Sequence, residues 1–149
     1  MKYLSEEASV REAASQSAQI VAESLPTTTF QGEYADMVAR LATKEWFTAR
    51  ISAAGLISSA YPKLSTDQQK QHLEFFSNLC KDDTPMVRRV AAQHLGSMVR
   101  NVVEASGRSS LEPGGSVPTI LLPLYDDLAS NEQPVSFKLI SPFSFSQIS

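Results

Sequence analysis

The sequence predicts an all-α solenoid of antiparallel helix pairs, and three observations carry that class. The first is an apolar set, Val10, Ala14, Ala18, Val21 and Leu25, spaced like one face of a helix. Adding 39 gives Ala49, Ala53, Ile57, Ala60 and Leu64, and a further 38 gives Val87, Ala91, Leu95, Met98 and Val102. The second is an arginine directly after the first member of each set: Arg11, Arg50 and Arg88. The third is another apolar set running between these. Met37, Val38, Leu41 and Ala42 become Phe75, Phe76, Leu79 and Cys80 after 38 residues, then Leu124, Tyr125, Leu128 and Ala129 after 49 more. Such self-similarity means stacked units, each of two helices, A then B, burying apolar faces against their neighbours.

The elements follow in order. A B helix is expected over residues 9–25, closed by Leu25-Pro26, because proline cannot continue the hydrogen-bond ladder. A full unit over 30–64 closes its own B helix at Tyr61-Pro62, and a second full unit spans 66–103. In Asp82-Asp83-Thr84-Pro85, Thr84 is expected to cap the next helix through its hydroxyl, with Pro85 at the first helical position. The excess of 49 over 38, 11 residues, sits within Ala105 to Ser116, ASGRSSLEPGGS, expected to be a flexible inserted loop with Gly114-Gly115 as plain linker. The A helix of a further unit is expected over 116–130, completing a repeat region within residues 1–133. From Pro134 to Ser149 the pattern is lost, since Ser136, Ser144 and Gln147 replace apolar positions and Pro142 interrupts the helix. That non-repeat C-terminal tail is expected to be disordered.

Composition narrows the functional class. The chain of 149 residues carries 13 Lys+Arg against 16 Asp+Glu, a net charge of −3, without the basic excess that nucleic-acid binding requires. No run approaches the roughly 20 apolar residues of a membrane span, and the first residues hold no apolar signal core. A soluble intracellular chain is expected, with neither nucleic acid nor membrane as partner. One cysteine, Cys80, forms no internal disulfide, and it falls on a core position. His72 and His94 lie on helices of different units without metal-ligand spacing, and His72 shares the partly buried position of Tyr34 and Leu121. Phosphate loops, nucleophile elbows and dinucleotide fingerprints are missing. No catalytic residue, cofactor or metal is expected.

Units of 38–39 residues exceed the ankyrin and tetratricopeptide periods and fall just under the 40–47 of HEAT and armadillo repeats. Two segments are more specific. WFTARISAAGL (Trp46 to Leu56) and NLCKDDTPMVRRVAAQHLG (Asn78 to Gly96) resemble the A-type HEAT-repeat scaffold subunit of protein phosphatase 2A, and YDDLASNEQ (Tyr125 to Gln133) fits the same family. The resemblance covers about Leu4 to Gln133 and corresponds to part of the third repeat through to the sixth, so the chain is expected to be a fragment. It implies a HEAT-repeat (armadillo-type) α-solenoid acting as a non-catalytic scaffold in the cytoplasm, with the nucleus as a second location. In that family the intra-repeat turns of early repeats receive variable regulatory subunits, whereas late repeats bind the catalytic subunit. The catalytic subunit is therefore expected as a partner only where late repeats are present.

The turn residues that would serve such binding are Trp46, Phe47, Asp83, Thr84, Pro85, Met86, Arg88 and Arg89. Trp46 and Phe47 either cover the end of a helix pair or act as an aromatic anchor, a common hot-spot role. Arg88 and Asp83 either belong to a ladder along the stack, in which each repeated arginine pairs with an acidic turn residue of the adjacent unit, or touch a partner directly. Arg89 replaces Glu12 and Ile51 of the other units, so the repeat does not require it, and a guanidinium there suits carboxylate recognition. The competing readings are a generic HEAT adaptor gripping peptides on its concave face, and a truncated product without function.

Overall fold

The computed structural model describes residues 2–131, and the side chains of residues 7–131. Among these residues every element is helical. Helix α1 spans Lys2–Ser24, α2 Thr27–Thr29, α3 Ala35–Ala42, α4 Phe47–Ala60, α5 Thr66–Cys80, α6 Pro85–Ser106 and α7 Leu122–Asn131. A π-helical turn, Phe30–Tyr34, fuses α2 to α3, and a second, Val117–Leu121, leads into α7. The expected tail over 134–149 lies outside the described residues.

The helices form two layers. One holds α3, α5 and α7 side by side, the other α1, α4 and α6, and each of α3 and α5 packs on its own successor in the second layer. The repeated apolar sets make this core. Val87, Leu95, Met98 and Val102 of α6 are fully buried, as are Ala53 and Ile57 of α4 and Phe76 of α5. Each large side chain so buried contributes about 1.5–3 kcal/mol.

The set on α1 behaves differently. Val10 and Val21 are 68% and 58% exposed, where their counterparts on α6 are 0% exposed. The cause is local: α3 covers the stripe of α4 and α5 that of α6, but among the described residues no such helix precedes α1. The same residue pattern thus becomes core or surface according to its neighbour.

Polar bonds hold the units in register. Asn101 Nδ2 donates to the Ser58 carbonyl, tying α6 to α4. Gln31 Nε2 donates to the Lys63 carbonyl at 3.0 Å, and Gln68 Nε2 to the Gln31 carbonyl. Helix α5 starts with a capping box, in which Ser65 accepts from the Gln68 N–H and the Gln68 side chain accepts from the Ser65 N–H. Both breaking prolines fall at helix ends: α1 stops at Ser24, and Pro62 lies in a 3-10 turn after Ala60.

The stretch expected to be flexible is a built turn. Helix α6 continues to Ser106, a 3-10 turn follows over Gly107–Ser110, and Ser110 is buried with its hydroxyl donating to the Gly107 carbonyl. Gly115 is more than linker, because a Cβ there would lie 2.4 Å from the Ser110 carbonyl oxygen. Close backbone approach is the physical reason for glycine at that position.

Candidate functional site

Two turns, 43–46 and 81–84, join the A helix to the B helix in the two complete pairs. An arginine one turn into each B helix organises them. Arg50 Nη1 donates to the carbonyls of Lys44 and Glu45, and Arg88 Nη1 to those of Asp82 and Asp83. Acceptors and donors are displaced by 38 residues, so each guanidinium satisfies carbonyls left open beyond the preceding A helix. This accounts structurally for the arginine in the repeated position.

Arg50 also reaches into the next unit. Its Nε donates to Asp82 Oδ2 at 2.7 Å, and its Nη2 to Asp82 Oδ1 at 3.1 Å and Thr84 Oγ1 at 3.3 Å. The ion pair is mostly covered, with side-chain exposures of 18% and 11%. Burial pushes the Asp82 carboxyl up, but the Arg50 bond, the Thr84 N–H and the Arg50 charge hold it below the ordinary carboxylate range. The bond to Asp82 raises the Arg50 guanidinium.

Two expectations are corrected here. The ladder acid that meets Arg50 is Asp82 and not Asp83, whose side chain is exposed and whose carbonyl, with that of Asp82, accepts from Arg88. Asp82 is turned inward because Oδ1 accepts the Thr84 N–H at 2.9 Å. Thr84 occupies the cap position of α6, yet its hydroxyl makes no capping bond and instead accepts from Arg50. The preceding unit cannot repeat the pair with Arg11, since Lys44 stands where Asp82 would be required.

The remaining turn residues form the outer edge. Trp46 is 77% exposed, Met86 51% and Phe47 39%, and Asp83, Pro85 and Arg89 are exposed beside them. Arg88 is half-buried. The Arg50–Asp82 pair fastens one turn to the next, so both sets of side chains belong to one edge of the stack.

Residues 72–102 match the HEAT repeat family, covering most of α5 and α6 with the turn between them. Over 108 residues the chain is 38% identical to the "Protein phosphatase 2A scaffold subunit" of Dictyostelium discoideum, which is 72% of this chain and 18% of the relative. It is 41% identical over 95 residues to a "Probable serine/threonine-protein phosphatase PP2A regulatory subunit" of Caenorhabditis elegans, covering 64% of this chain and 16% of the relative. It is 42% identical over 98 residues to the alpha isoform of the 65 kDa regulatory A-type subunit of serine/threonine-protein phosphatase 2A from Arabidopsis thaliana, covering 65% and 16%. The chain is a HEAT-repeat protein related to the protein phosphatase 2A scaffold subunits. It spans less than a fifth of the length of these curated relatives.

Elsewhere in these HEAT repeats the reactive side chains are locked into packing. Cys80 is buried, and its thiol is pushed up to about 12 by desolvation. His72 is 1% exposed, more deeply buried than its sequence position suggests, and its Nδ1–H donates to the Gln68 carbonyl at 2.9 Å. Burial lowers the pKa of His72 and of His94. Among the described residues no three metal-ligating side chains cluster, and no helix is long and apolar enough to cross a membrane.

A groove lies on the layer of α1, α4 and α6 and meets the turn edge at Met86. Its volume of about 220 Å³ is lined by Arg11, Gln16, Gly55, Met86, Gln93 and His94. Its floor is tight, because a Cβ on Gly55 would come within 3.1 Å of His94 Nε2. Sequence reasoning missed this groove, since its residues come from three helices and share no spacing. It also missed Asp82, although the Asp-x-Thr step is a turn signal in itself.

Proposed function

We propose that this chain is a non-catalytic HEAT scaffold segment that presents its A-to-B turns to a variable regulatory subunit of a protein phosphatase 2A-type assembly. The observation that carries the reading is the edge formed by Trp46, Phe47 and Met86, three large apolar side chains exposed on turns that Arg50 and Asp82 fasten together. Exposed aromatic and methionine side chains on a preorganised surface give contact area at low entropic cost on binding. Arg89 adds an exposed charge for a partner carboxylate, at a position where other units use Glu12 and Ile51. The relatives' names supply the type of assembly. In this reading catalytic-subunit binding falls to later repeats, and residues 1–149 tested on their own are expected to recruit no phosphatase activity.

The test is a binding titration of the full chain against a purified regulatory subunit. Arg89→Glu is expected to weaken binding by about 2–5 kcal/mol, the scale for one member of a buried interfacial charge pair. Trp46→Ala is expected to cost about 2 kcal/mol or more, as hot-spot residues do. Unchanged affinity in both variants would move the contact away from this edge. Should a variant at Gln93 in the groove across α1, α4 and α6 weaken binding instead, the adaptor reading gains.

A further inference from the structure

Thr84 differs from most hydroxyl residues of the repeats, although Ser97 accepts from Arg100 and Ser58 from Asn101. Thr43, Ser52, Ser59, Ser110 and Thr119 fold back onto carbonyls three or four residues earlier, and Ser65 caps its own helix. The Thr84 hydroxyl instead accepts from Arg50 of the preceding unit at 3.3 Å, bonds the Asp82 carboxylate, and does nothing for the start of α6. Its backbone is extended, with φ −86° and ψ 118°, and Asp83 and Pro85 on either side are exposed. Of the eight prolines in the chain, two follow a serine or threonine: Pro85 after Thr84, and Pro142 after Ser141. An extended hydroxyl residue followed by proline is the dipeptide that proline-directed protein kinases modify.

We propose that Thr84 is a phosphorylation site for a proline-directed protein kinase and that the Arg50 guanidinium receives the phosphate. In the transfer, Thr84 Oγ1 bonds to the γ-phosphorus of ATP and the bond from that phosphorus to the β,γ-bridging oxygen breaks. The hydroxyl proton passes to the kinase's base and ADP leaves. The product carries about −1.5 to −2 charges and three acceptor oxygens. They grow from an oxygen already within hydrogen-bond reach of Arg50 Nη2.

Guanidinium and phosphate pair through parallel, charge-assisted bonds. Arg50 now gives Nε and Nη2 to Asp82, and a dianion attached next to them competes for the same two N–H groups. The link between units would pass from Asp82 to the modified Thr84, and Asp82 would be repelled from its inward position. The modification therefore exchanges the acid in the clamp without removing the clamp.

The experiment incubates the full chain with ATP, Mg²⁺ and a purified cyclin-dependent kinase already shown to be active on a Thr-Pro peptide, and maps phosphate by mass spectrometry. Phosphate is expected on Thr84 and absent in Thr84→Val, with Ser141 scored separately. Phosphorus NMR of the modified chain is expected to show a phosphothreonine second pKa about one unit lower than in Arg50→Gln. Arg50→Lys keeps the charge, should that variant fold poorly, and is expected to give an intermediate value. An unlabelled Thr84 overturns the site, and a phosphate titrating identically in wild type and Arg50→Lys overturns the receiver.

Discussion

Arg50 and Asp82 meet across the boundary between two helical units, with both carboxylate oxygens engaged at 2.7 and 3.1 Å. The pair is part-buried, and each partner also serves its own turn. Loss of either one removes a contact between units together with part of a turn. Arg50→Leu and Asp82→Ala are each expected to destabilise the chain by about 1.5–3 kcal/mol. A double-mutant cycle in urea measures how the two depend on each other. Strictly additive losses would mean the pair contributes nothing as a pair.

Stability is expected to fall in acid in two stages. His72 and His94 have folded-state pKa values lowered by burial, and Asp82 is lowered by its Arg50 and Thr84 bonds. In each case the folded value lies below the unfolded one, so the unfolded chain binds more protons between them and stability rises with pH. The histidine contribution is complete above about pH 6.5 and is lost as pH falls through the folded values, and that of Asp82 is complete above about pH 4. Urea midpoints from pH 7.5 to 3 measure the profile. A midpoint flat between pH 7.5 and 5 would show that neither histidine is buried uncharged.

Two glycines are expected to respond in opposite directions. Gly115→Ala forces a Cβ against the carbonyls of Ser109 and Ser110, and about 1–3 kcal/mol of destabilisation follows, as for other overpacked sites. Gly32→Ala meets no atom within 4 Å in a helical segment and is expected to gain about 0.5–1 kcal/mol. Thermal unfolding of both variants checks the contrast, which fails if the two shift alike.

The neighbouring arginines are expected to separate fold from surface. Arg88→Glu points a carboxylate at the Asp82 and Asp83 carbonyls and is expected to cost about 1–3 kcal/mol. Arg89→Glu changes an exposed side chain and is expected to stay within about 0.5 kcal/mol. Circular dichroism melts of both variants decide the matter. An equal loss in the two would assign Arg89 a structural role as well.

The apolar period made the helices and their burial legible, because a stripe such as Val87, Ala91, Leu95, Met98 and Val102 leaves one way to face the core. Identical reasoning failed on α1, where Val10 and Val21 follow the pattern yet stay exposed, since burial depends on a neighbouring helix as well as on the stripe. In the DDTP turn the residue types were legible but not their partners. Asp82 and Asp83 are indistinguishable as letters, and only the backbone turn decides which carboxylate faces Arg50. The placement of Trp46 and Phe47 at a turn was readable, and their exposure was not, because it depends on what packs over the helix ends.

The π turn at Phe30–Tyr34 explains an oddity of the spacing. Leu25 and Leu64 are 39 residues apart, but Met37 and Phe75 only 38, so one unit carries one residue more between those landmarks. That surplus falls where the Ala35 N–H reaches back five residues to the Phe30 carbonyl, which is the step that lets a helix hold an extra residue. Downstream of the bulge the side chains return to phase, and Val38 is buried like its counterpart Phe76. A stack built this way is indifferent to small length differences among its repeats, because an indel is stored as winding within one helix and never reaches the edge where the turns line up.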